Sequence, residues 1–244
     1  MGSFAMFPLG SVLLPHMPLA LRVFEERYLV MMARVLAEQP AEFGVVLIES
    51  GREAAGSEPQ RRFGLGTVAR VTELAATDGD LAVVALGGRR IEVVEWLADD
   101  PHPVALVRDL PELEWDASLA ALRQRAERVV RRTLARAGEF IDLPWDAEVE
   151  LSDDPVASAW QLAGIAPLTP IDQLALLRST SLRELLAHLV EFTVGAGEVL
   201  TAWNVRDELD EELAALDPDG HDPEGSEGSD GPEGPEGPSQ TPRE

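Results

Sequence analysis

The chain has 244 residues, of which 45% are hydrophobic, and carries a formal net charge of −24. It contains no cysteine and all 20 of its basic residues are arginine, which excludes disulfides, thiolate chemistry, Schiff-base lysines and phosphate-loop lysines. The length suffices for one large domain or two small ones, and the negative charge argues against general nucleic-acid binding because it repels phosphates. The absence of lysine fits either the codon bias of a GC-rich genome or the avoidance of lysine-directed tagging.

The N-terminal segment Phe7–Met32 is largely apolar, yet prolines interrupt it at Pro8, Pro15 and Pro18. A membrane span and a signal peptide are both excluded, because the apolar run is broken and the first basic residue is Arg22. Proline is tolerated at strand starts, edges and bulges, so the segment is predicted to form short strand pieces at the rim of a barrel. The predicted elements are strands at Phe7–Leu9, Val12–Leu14 and Leu19–Val23, followed by a helix at Phe24–Ala37.

Residues 40–110 alternate between short apolar runs and turn signals, which predicts an antiparallel sheet. Gly79 supplies the positive φ for a hairpin turn between two of the runs. Val94 and Trp96 break the alternation of a later run, which indicates a bulge or a twist. Such closely spaced strands favour closure into a small barrel. The predicted strands are Phe43–Glu49, Gly66–Leu74, Leu81–Leu86, Arg89–Leu97 and Val104–Leu110.

From Asp116 onward the hydrophobic period changes to that of helices. The first predicted helix, Ser118–Gly138, ends at a glycine typical of a C-cap. The second, Asp153–Pro167, begins with acidic residues and has a proline in its first turn. Two further helices start at capping-box spacings, Thr169 with Asp172 and Ser181 with Glu184.

The last part of the chain differs in composition from the rest. Residues 206–244 hold 14 acidic and 2 basic residues and almost nothing that could be buried. This composition predicts a disordered, solvated tail, with an electrostatic contact to a basic partner as the alternative. The predicted organisation is α+β, with a β-rich pseudo-barrel lobe at residues 1–112, a helical bundle lobe at residues 113–205 and the acidic tail at residues 206–244.

Residues 7–28 read FPLGSVLLPHMPLALRVFEERY: Phe-Pro-Leu, then proline and methionine in an apolar run, then Phe-Glu-x-Arg-Tyr. This stretch resembles the start of the Lon protease N-terminal domain, the Lon substrate-binding domain. The helical part AWQLAGIAPLTPIDQLALLRSTSLRELLAHL also resembles the family's C-terminal bundle. Two positions depart from the family pattern, His16 where glycine is frequent and Arg22 where histidine is frequent. The matching stretches, within a resemblance over residues 6–200, are Phe7–Leu9, Pro15, Met17, Phe24–Tyr28, Phe43–Leu47, Gly66–Val71 and Leu86–Ile91.

The resemblance implies a β-rich lobe related to the PUA fold, followed by a helical lobe. Full Lon proteases continue into an ATPase module and a Ser-Lys protease module, whereas this sequence has no phosphate-loop pattern and no lysine. The chain is therefore expected to be a stand-alone form of the domain, without ATPase or protease activity by itself.

The candidate site lies on the proline-rich rim and the helix after it, which would border a groove for extended polypeptide. No metal, cofactor or catalytic residue is predicted, because the histidines lack ligand spacing and no Gly-x-Ser-x-Gly motif occurs. A plain structural role stays open as well, with His16 simply exposed and Phe24 and Tyr28 packing the barrel. The candidate polypeptide-binding residues are Pro15, His16, Met17, Phe24, Arg27 and Tyr28.

Six arginines crowd the first helix of the bundle. Glu127 lies four residues from Arg123 and from Arg131, so ordinary i,i+4 pairing explains some of them. The simplest interpretation is a solvated helix face that pairs with the acidic body, with contact to the chain's own tail or to RNA as alternatives. RNA is disfavoured because no aromatic residues are interleaved. The six are Arg123, Arg125, Arg128, Arg131, Arg132 and Arg136.

The function expected from these features is a non-catalytic protein-binding module. It would recognise unfolded or apolar polypeptide segments, or act as an adaptor for a protease or chaperone. The alternatives are a hydrolase with an unrecognised site and a PUA-like RNA binder. The expected location is cytoplasmic, with polypeptide partners, no nucleic acid and no membrane, and the oligomeric state is left open.

Overall fold

The computed structural model describes residues 2–50, 61–77 and 79–216, without the side chains of residue 77 and residues 200–216. Met1–Ala202 form one compact unit and Trp203–Glu244 a second. The last helix, α5 (Leu182–Leu216), extends beyond the predicted start of the tail at residue 206. The predicted disorder of residues 217–244 lies outside the described residues.

The strands of the described residues are β1 (Gly2–Leu9), β2 (Pro18–Val23), β3 (Glu42–Ser50), β4 (Arg61–Thr77), β5 (Asp80–Trp96) and β6 (Val104–Asp109). They form one sheet in the order β2-β5-β4-β3-β1-β6. The sheet closes because β6 also pairs with β5. Only β1 and β3 run parallel among the described strands, and the helix α1 (Glu26–Leu36) lies between them in the chain. A closed barrel of this kind leaves few free sheet edges.

The barrel core explains why these segments fold as they do. Residues Phe43–Leu47 of β3 are all buried, as expected for a continuous apolar run that is covered on both faces. Helix α1 buries Tyr28, Met31, Met32 and Val35, which recur at helical spacing, so its apolar stripe faces the barrel core.

The predicted strands are confirmed with two exceptions. The bulge is confirmed by a register shift between Val93 and Glu95, and Gly79 has a φ of 88° in the hairpin turn. Two of the predicted strands, 81–86 and 89–97, prove to be one continuous strand, β5, because glycine at positions 87 and 88 keeps the extended conformation. Val12–Leu14 form no strand: this loop is held inside by the Thr67 hydroxyl, which donates to the Leu13 carbonyl at 2.6 Å.

Four helices follow the barrel among the described residues: α2 (Ala120–Ala137), α3 (Pro155–Ile165), α4 (Pro170–Leu177) and α5. The predicted capping box at α4 is confirmed, since the Thr169 hydroxyl accepts from the Asp172 N–H and the Asp172 carboxylate accepts from the Thr169 N–H. Gly138 is the C-cap of α2. The predicted α+β fold, with strands first and helices after, is confirmed.

Candidate functional site

A tight turn at Leu14–Met17 carries the first three candidate residues. The His16 N–H donates to the Gly87 carbonyl at 2.8 Å, and the Gly87 N–H donates to the Met17 carbonyl at 2.9 Å. His16 has a φ of 61°, a left-handed conformation that costs a non-glycine residue energy. Gly87 is required because a Cβ there would lie 2.2 Å from the Leu14 carbonyl oxygen. The turn therefore seats directly on β5.

A groove of about 370 Å³ opens between this turn and α3. Pro15 and His16 line it on the barrel side, and Val156 and Trp160 line it on the helical side. Pro15 is buried while His16 is exposed, so the imidazole is the candidate group that meets solvent there. The other lining residues are Gly88, Arg89, Arg90, Leu110, Pro111, Glu112, Leu113 and Asp154.

Arg90 stabilises the floor of this groove. Its guanidinium donates to the carbonyls of Leu177 and Ser179, at 2.9 and 2.6 Å, and to the Pro111 carbonyl at 2.7 Å. It also lies 5.4 Å from the centre of the Trp160 ring. Burial lowers the pKa of Arg90, and the carbonyls at the end of α4 supply the negative end of a helix dipole. Arg90 therefore joins β5 to the helices.

Met17 lies in the interior rather than on the rim. Only 8% of its surface is exposed, and a Cβ added to Gly164 of α3 would lie 2.5 Å from its side chain. Met17 thus fills the contact between the barrel and α3, a packing role that the sequence reading did not separate from ligand contact.

The other three candidates lie at the start of α1. Phe24 is 62% exposed, so the suggestion that it packs the barrel is wrong. Arg27 pairs with Glu25 at 3.0 Å and lies over the Tyr28 ring. Tyr28 is buried and stacks on Phe7 with ring centres 4.2 Å apart. Burial raises the pKa of Tyr28, although the Arg27 charge acts in the opposite direction.

Besides the Leu14–Met17 turn and the start of α1, a third surface lies next to Phe24. The sequence did not predict it as a candidate site. We call it the strand extension: β2, residues 71–77 of β4 and residues 80–86 of β5. The pairing of β3 with β4 ends at Arg70, and β6 pairs with β5 only from Ile91 onward. These three segments therefore project beyond the closed barrel.

One face of the strand extension is apolar and grades from the core to solvent. Leu21 lies opposite Val83, and Val83 lies opposite Leu74, so the three side chains share a face. Val83 is 1% exposed, whereas Leu74 is 46% exposed. Leu81, which is partly buried, lies two residues before Val83 on β5 and therefore on the same face. The result is a hydrophobic surface that starts in the core and ends in water.

The register also shows which backbone groups point outward. The backbone of Gly87 points toward the Leu14–Met17 turn, since it donates to Met17 and accepts from His16. Backbone groups alternate along β5, so Ala82 and Val84 point toward β4 and bond to their partners Ala75 and Glu73. The N–H and C=O groups of Leu74 and Ala76 therefore point away from β5. The same alternation, continued through Gly87, turns the backbone of Ala20 outward on β2. Neither outer side is paired with another strand in the described part of the chain.

The two edges differ in their protection against strand pairing. The β2 edge contains Pro18, which has no N–H, and Arg22, which pairs with Asp80. The β4 edge carries Glu73 as its only described charge beyond Arg70, and Leu74 and the two alanines after it are exposed. The β4 edge is therefore the less protected of the two.

Comparison with known proteins shows to which family the chain belongs. A family model for the ATP-dependent protease La (LON) substrate-binding domain matches residues 4–194. The chain belongs to the Lon substrate-binding domain family. A solved Lon N-terminal domain protein from Xanthomonas campestris is 27% identical, with a TM-score of 0.55, over 79% of this chain and 99% of that one.

A second solved structure, the N-terminal domain of Mycobacterium avium complex Lon protease, is 21% identical and supports the Lon-domain fold alone. Its TM-score is 0.56, and the match covers 79% of this chain and 98% of that chain. The search of curated proteins returned no match. The recognition of a Lon N-terminal domain from the sequence is therefore confirmed.

The Lon domain does not bring the six candidate residues into one site. Pro15 and His16 line the groove beside α3, whereas Phe24 and Arg27 surround the start of α1. Met17 and Tyr28 are buried. Leu74 was missed, although its position before the Gly79 turn in an alternating segment could have placed it on a hairpin arm.

Two further observations concern the chemistry that the Lon domain presents. Within the described ranges, no cluster of three or more histidine, aspartate or glutamate side chains is placed to hold a metal ion. None of the described helices combines the length and the apolar character needed to cross a bilayer.

Proposed function

We propose that this Lon domain is a non-catalytic module that captures extended apolar segments of unfolded polypeptides at the β4 edge of the strand extension. The observation that carries the proposal is the combination of the exposed Leu74 side chain with outward backbone groups at Leu74 and Ala76. Family membership supports binding of polypeptide in general, and the exposed apolar edge of the strand extension supports this location for it.

Strand addition suits a receptor for unfolded chains. Backbone hydrogen bonds to an open edge are independent of sequence, while pockets for alternate side chains select apolar residues. A segment paired with β4 would place every second side chain on the apolar face that Leu74 shares with Val83 and Leu21. Phe24, which follows β2 at the turn end of the extension, adds exposed aromatic surface.

The charges near the β4 edge limit which polypeptide segments can bind there. Among the described residues of the β4 edge beyond Arg70, Glu73 is the only charged one, so strongly acidic segments are disfavoured at this edge. Neutral or basic apolar segments are therefore favoured. A surface of this size gives weak, transient binding, with a dissociation constant on the order of micromolar. Delivery of the captured segment to a protease or chaperone, the adaptor role, is part of the same proposal.

The test measures the fluorescence anisotropy of a labelled 12-residue peptide of alternating valine and threonine with an arginine at each end. Leu74→Ser is expected to raise the dissociation constant about fivefold, because about 1 kcal/mol of apolar contact is lost. Ile171→Ser is the matched control, since Ile171 is 59% exposed on α4, and it should change the constant less than twofold.

A second peptide, with every backbone nitrogen between the two arginines methylated, tests the hydrogen bonding itself, because neither of its edges keeps an N–H donor. It keeps the side chains but cannot pair with the β4 edge, so binding should weaken at least tenfold. Equal binding of both peptides would overturn strand addition, and equal effects of L74S and I171S would overturn the site. The hydrolase and RNA-binding alternatives stay predictions.

A further inference from the structure

A row of exposed arginines follows one face of α2, far along the chain from the strand extension. Arg125, Arg128, Arg132 and Arg136 are spaced by three and four residues, which places them within an arc of about 80° at 100° per residue. All four are exposed. We call this row the arginine stripe, and its length of about 16 Å equals that of about five residues of extended chain.

Among the described residues, the stripe differs from the other arginines of α2 in lacking a side-chain partner. Arg123 donates to the Ser158 hydroxyl at 2.9 Å, and Arg131 pairs with Glu127 at 3.0 Å. The four stripe arginines form no ion pair or side-chain hydrogen bond with any residue in the described part of the chain. Like charges at these spacings repel one another, so the stripe lowers the stability of α2 when no partner is bound.

A groove of about 250 Å³ lies beside the stripe, between α2 and α5. Arg132 and Arg136 form one wall, Val129 and Thr133 also line it from α2, and Val194 lines it from α5. Val194 is 41% exposed, and a Cβ added to the neighbouring Gly195 would meet open space. The groove thus joins two cations to an apolar surface. Gly197 and Glu198 complete the lining, and Glu198 is the one carboxylate among the residues that line it.

We propose that the arginine stripe and this groove bind an acidic polypeptide segment of a partner protein. Carboxylates of the segment would pair with the stripe, and one apolar side chain of the segment would enter the groove against Val129 and Val194. Arginine suits this role because its guanidinium forms two parallel hydrogen bonds to a carboxylate. The occupant follows from charge complementarity, because the four stripe cations have no side-chain partner among the described residues and match the carboxylates of an acidic segment.

A polypeptide fits this surface better than a nucleic acid does. The residues that line the groove contain no aromatic side chain on which a base could stack, and the acidic body repels a long phosphate backbone. A short acidic segment avoids this repulsion, because at physiological salt charges farther apart than about 8 Å are screened.

The experiment uses the full chain and a labelled 10-residue peptide with glutamate at alternate positions and one central leucine. Changing all four stripe arginines to glutamine should raise the dissociation constant at least tenfold, and raising NaCl from 0.05 to 0.3 M should weaken binding severalfold. The control variant changes Arg61, Arg108, Arg178 and Arg183 to glutamine, which removes the same charge from other exposed positions and should change the constant less than twofold. Circular dichroism melting shows whether both variants remain folded.

Three results would overturn the proposal. If the control variant weakens peptide binding equally, the effect comes from the net charge of the protein and not from the stripe. Tighter binding of a single-stranded RNA of equal charge would assign the stripe to nucleic acid. Binding at least tenfold tighter in a full-length variant whose acidic residues in 217–244 are changed to asparagine and glutamine would assign the stripe to the chain's own acidic segment. This proposal does not depend on the strand extension, so L74S should leave binding of the acidic peptide unchanged.

Discussion

Strand β5 contributes to two regions that differ in their chemistry. One is the junction, where the barrel contacts the helices, and the other is the strand extension. At the junction Arg90 is 6% exposed, and its guanidinium satisfies three carbonyls. In the strand extension the apolar face that includes Val83 runs out to the exposed Leu74. A buried charge that donates to three carbonyls fixes a structure, whereas an apolar edge that pairs with no further strand of the described residues is open to binding. The difference assigns a stabilising role to the Arg90 segment of β5, whereas the Val83 segment belongs to the surface that we propose for binding.

The largest expected effect is at Arg90. Arg90→Met leaves the carbonyls of Leu177, Ser179 and Pro111 without their donor and should lower the free energy of unfolding by about 3 kcal/mol. Arg89→Met is the adjacent control, because Arg89 is partly exposed and pairs with Glu42, and its loss should cost about 1 kcal/mol or less. Urea denaturation followed by circular dichroism gives both values. Equal costs would contradict the assignment of the junction to Arg90.

A second test of the junction uses two neighbouring glycines. Gly87→Ala would place a methyl group 2.2 Å from the backbone oxygen of Leu14, so the Leu14–Met17 turn must move, at a cost of about 2 kcal/mol. Gly88→Ala meets its nearest atom at an ordinary 3.5 Å and should be almost neutral. Thermal melting compares the two variants, and a larger loss for Gly88→Ala would show that the turn is not seated on β5.

Tyr28 contrasts with Arg90, because its buried hydroxyl lacks a hydrogen-bond partner among the described residues. Tyr28→Phe should therefore keep the free energy of unfolding or raise it by up to about 1 kcal/mol at neutral pH. Chemical denaturation of the two proteins at pH 7 measures the difference, and a loss above 1 kcal/mol would reveal a hidden partner of the hydroxyl.

The pH dependence of this effect has a definite sign. The pKa of Tyr28 is raised in the folded state, so its contribution to stability is present below the unfolded value of about 10 and is lost as the pH rises through the folded value. The chain has one tyrosine and no lysine or cysteine, so a titration at 295 nm follows this phenol alone. Tyr28→Phe should remove the loss of stability that sets in above about pH 10. An unchanged loss in the variant would contradict the assignment.

The smallest expected change in stability is in the strand extension. Leu74→Ser alters a side chain that is 46% exposed, so the free energy of unfolding should change by less than about 0.5 kcal/mol. Urea denaturation provides the value. A cost near that of Arg90→Met would mean that Leu74 belongs to the core and would remove the contrast between the two regions.

Local sequence signals predicted local structure well. The Thr169–Asp172 capping box, the Gly138 cap and the bulge after Val93 depend on neighbours in the chain, and all three are confirmed. The continuity of β5 through Gly87 and Gly88 was missed because a glycine pair is typical of a turn. The need for glycine at position 87 comes instead from the carbonyl of the distant residue Leu14, which no local pattern reveals.

The candidate site was harder to predict than the fold. Burial of Met17 depends on Gly164, which is far away in the sequence, so an apolar residue in a proline-rich rim could not be assigned to the interior. The role of Arg90 could not be predicted, because the pattern of one strand does not show that the end of α4 lies against the barrel there. Leu74 was assigned to a strand, but its exposure follows from where β3 ends.

The most direct test of polypeptide capture measures amide hydrogen exchange by NMR on the full chain, with and without the valine-threonine peptide. Strand addition at β4 predicts that the outward amides of Leu74 and Ala76 gain protection at least tenfold, while the amides of Ala20 and Arg22 on the β2 edge change little. Protection confined to the groove residues near His16, or no change at Leu74 and Ala76 at saturating peptide, would contradict binding at this edge.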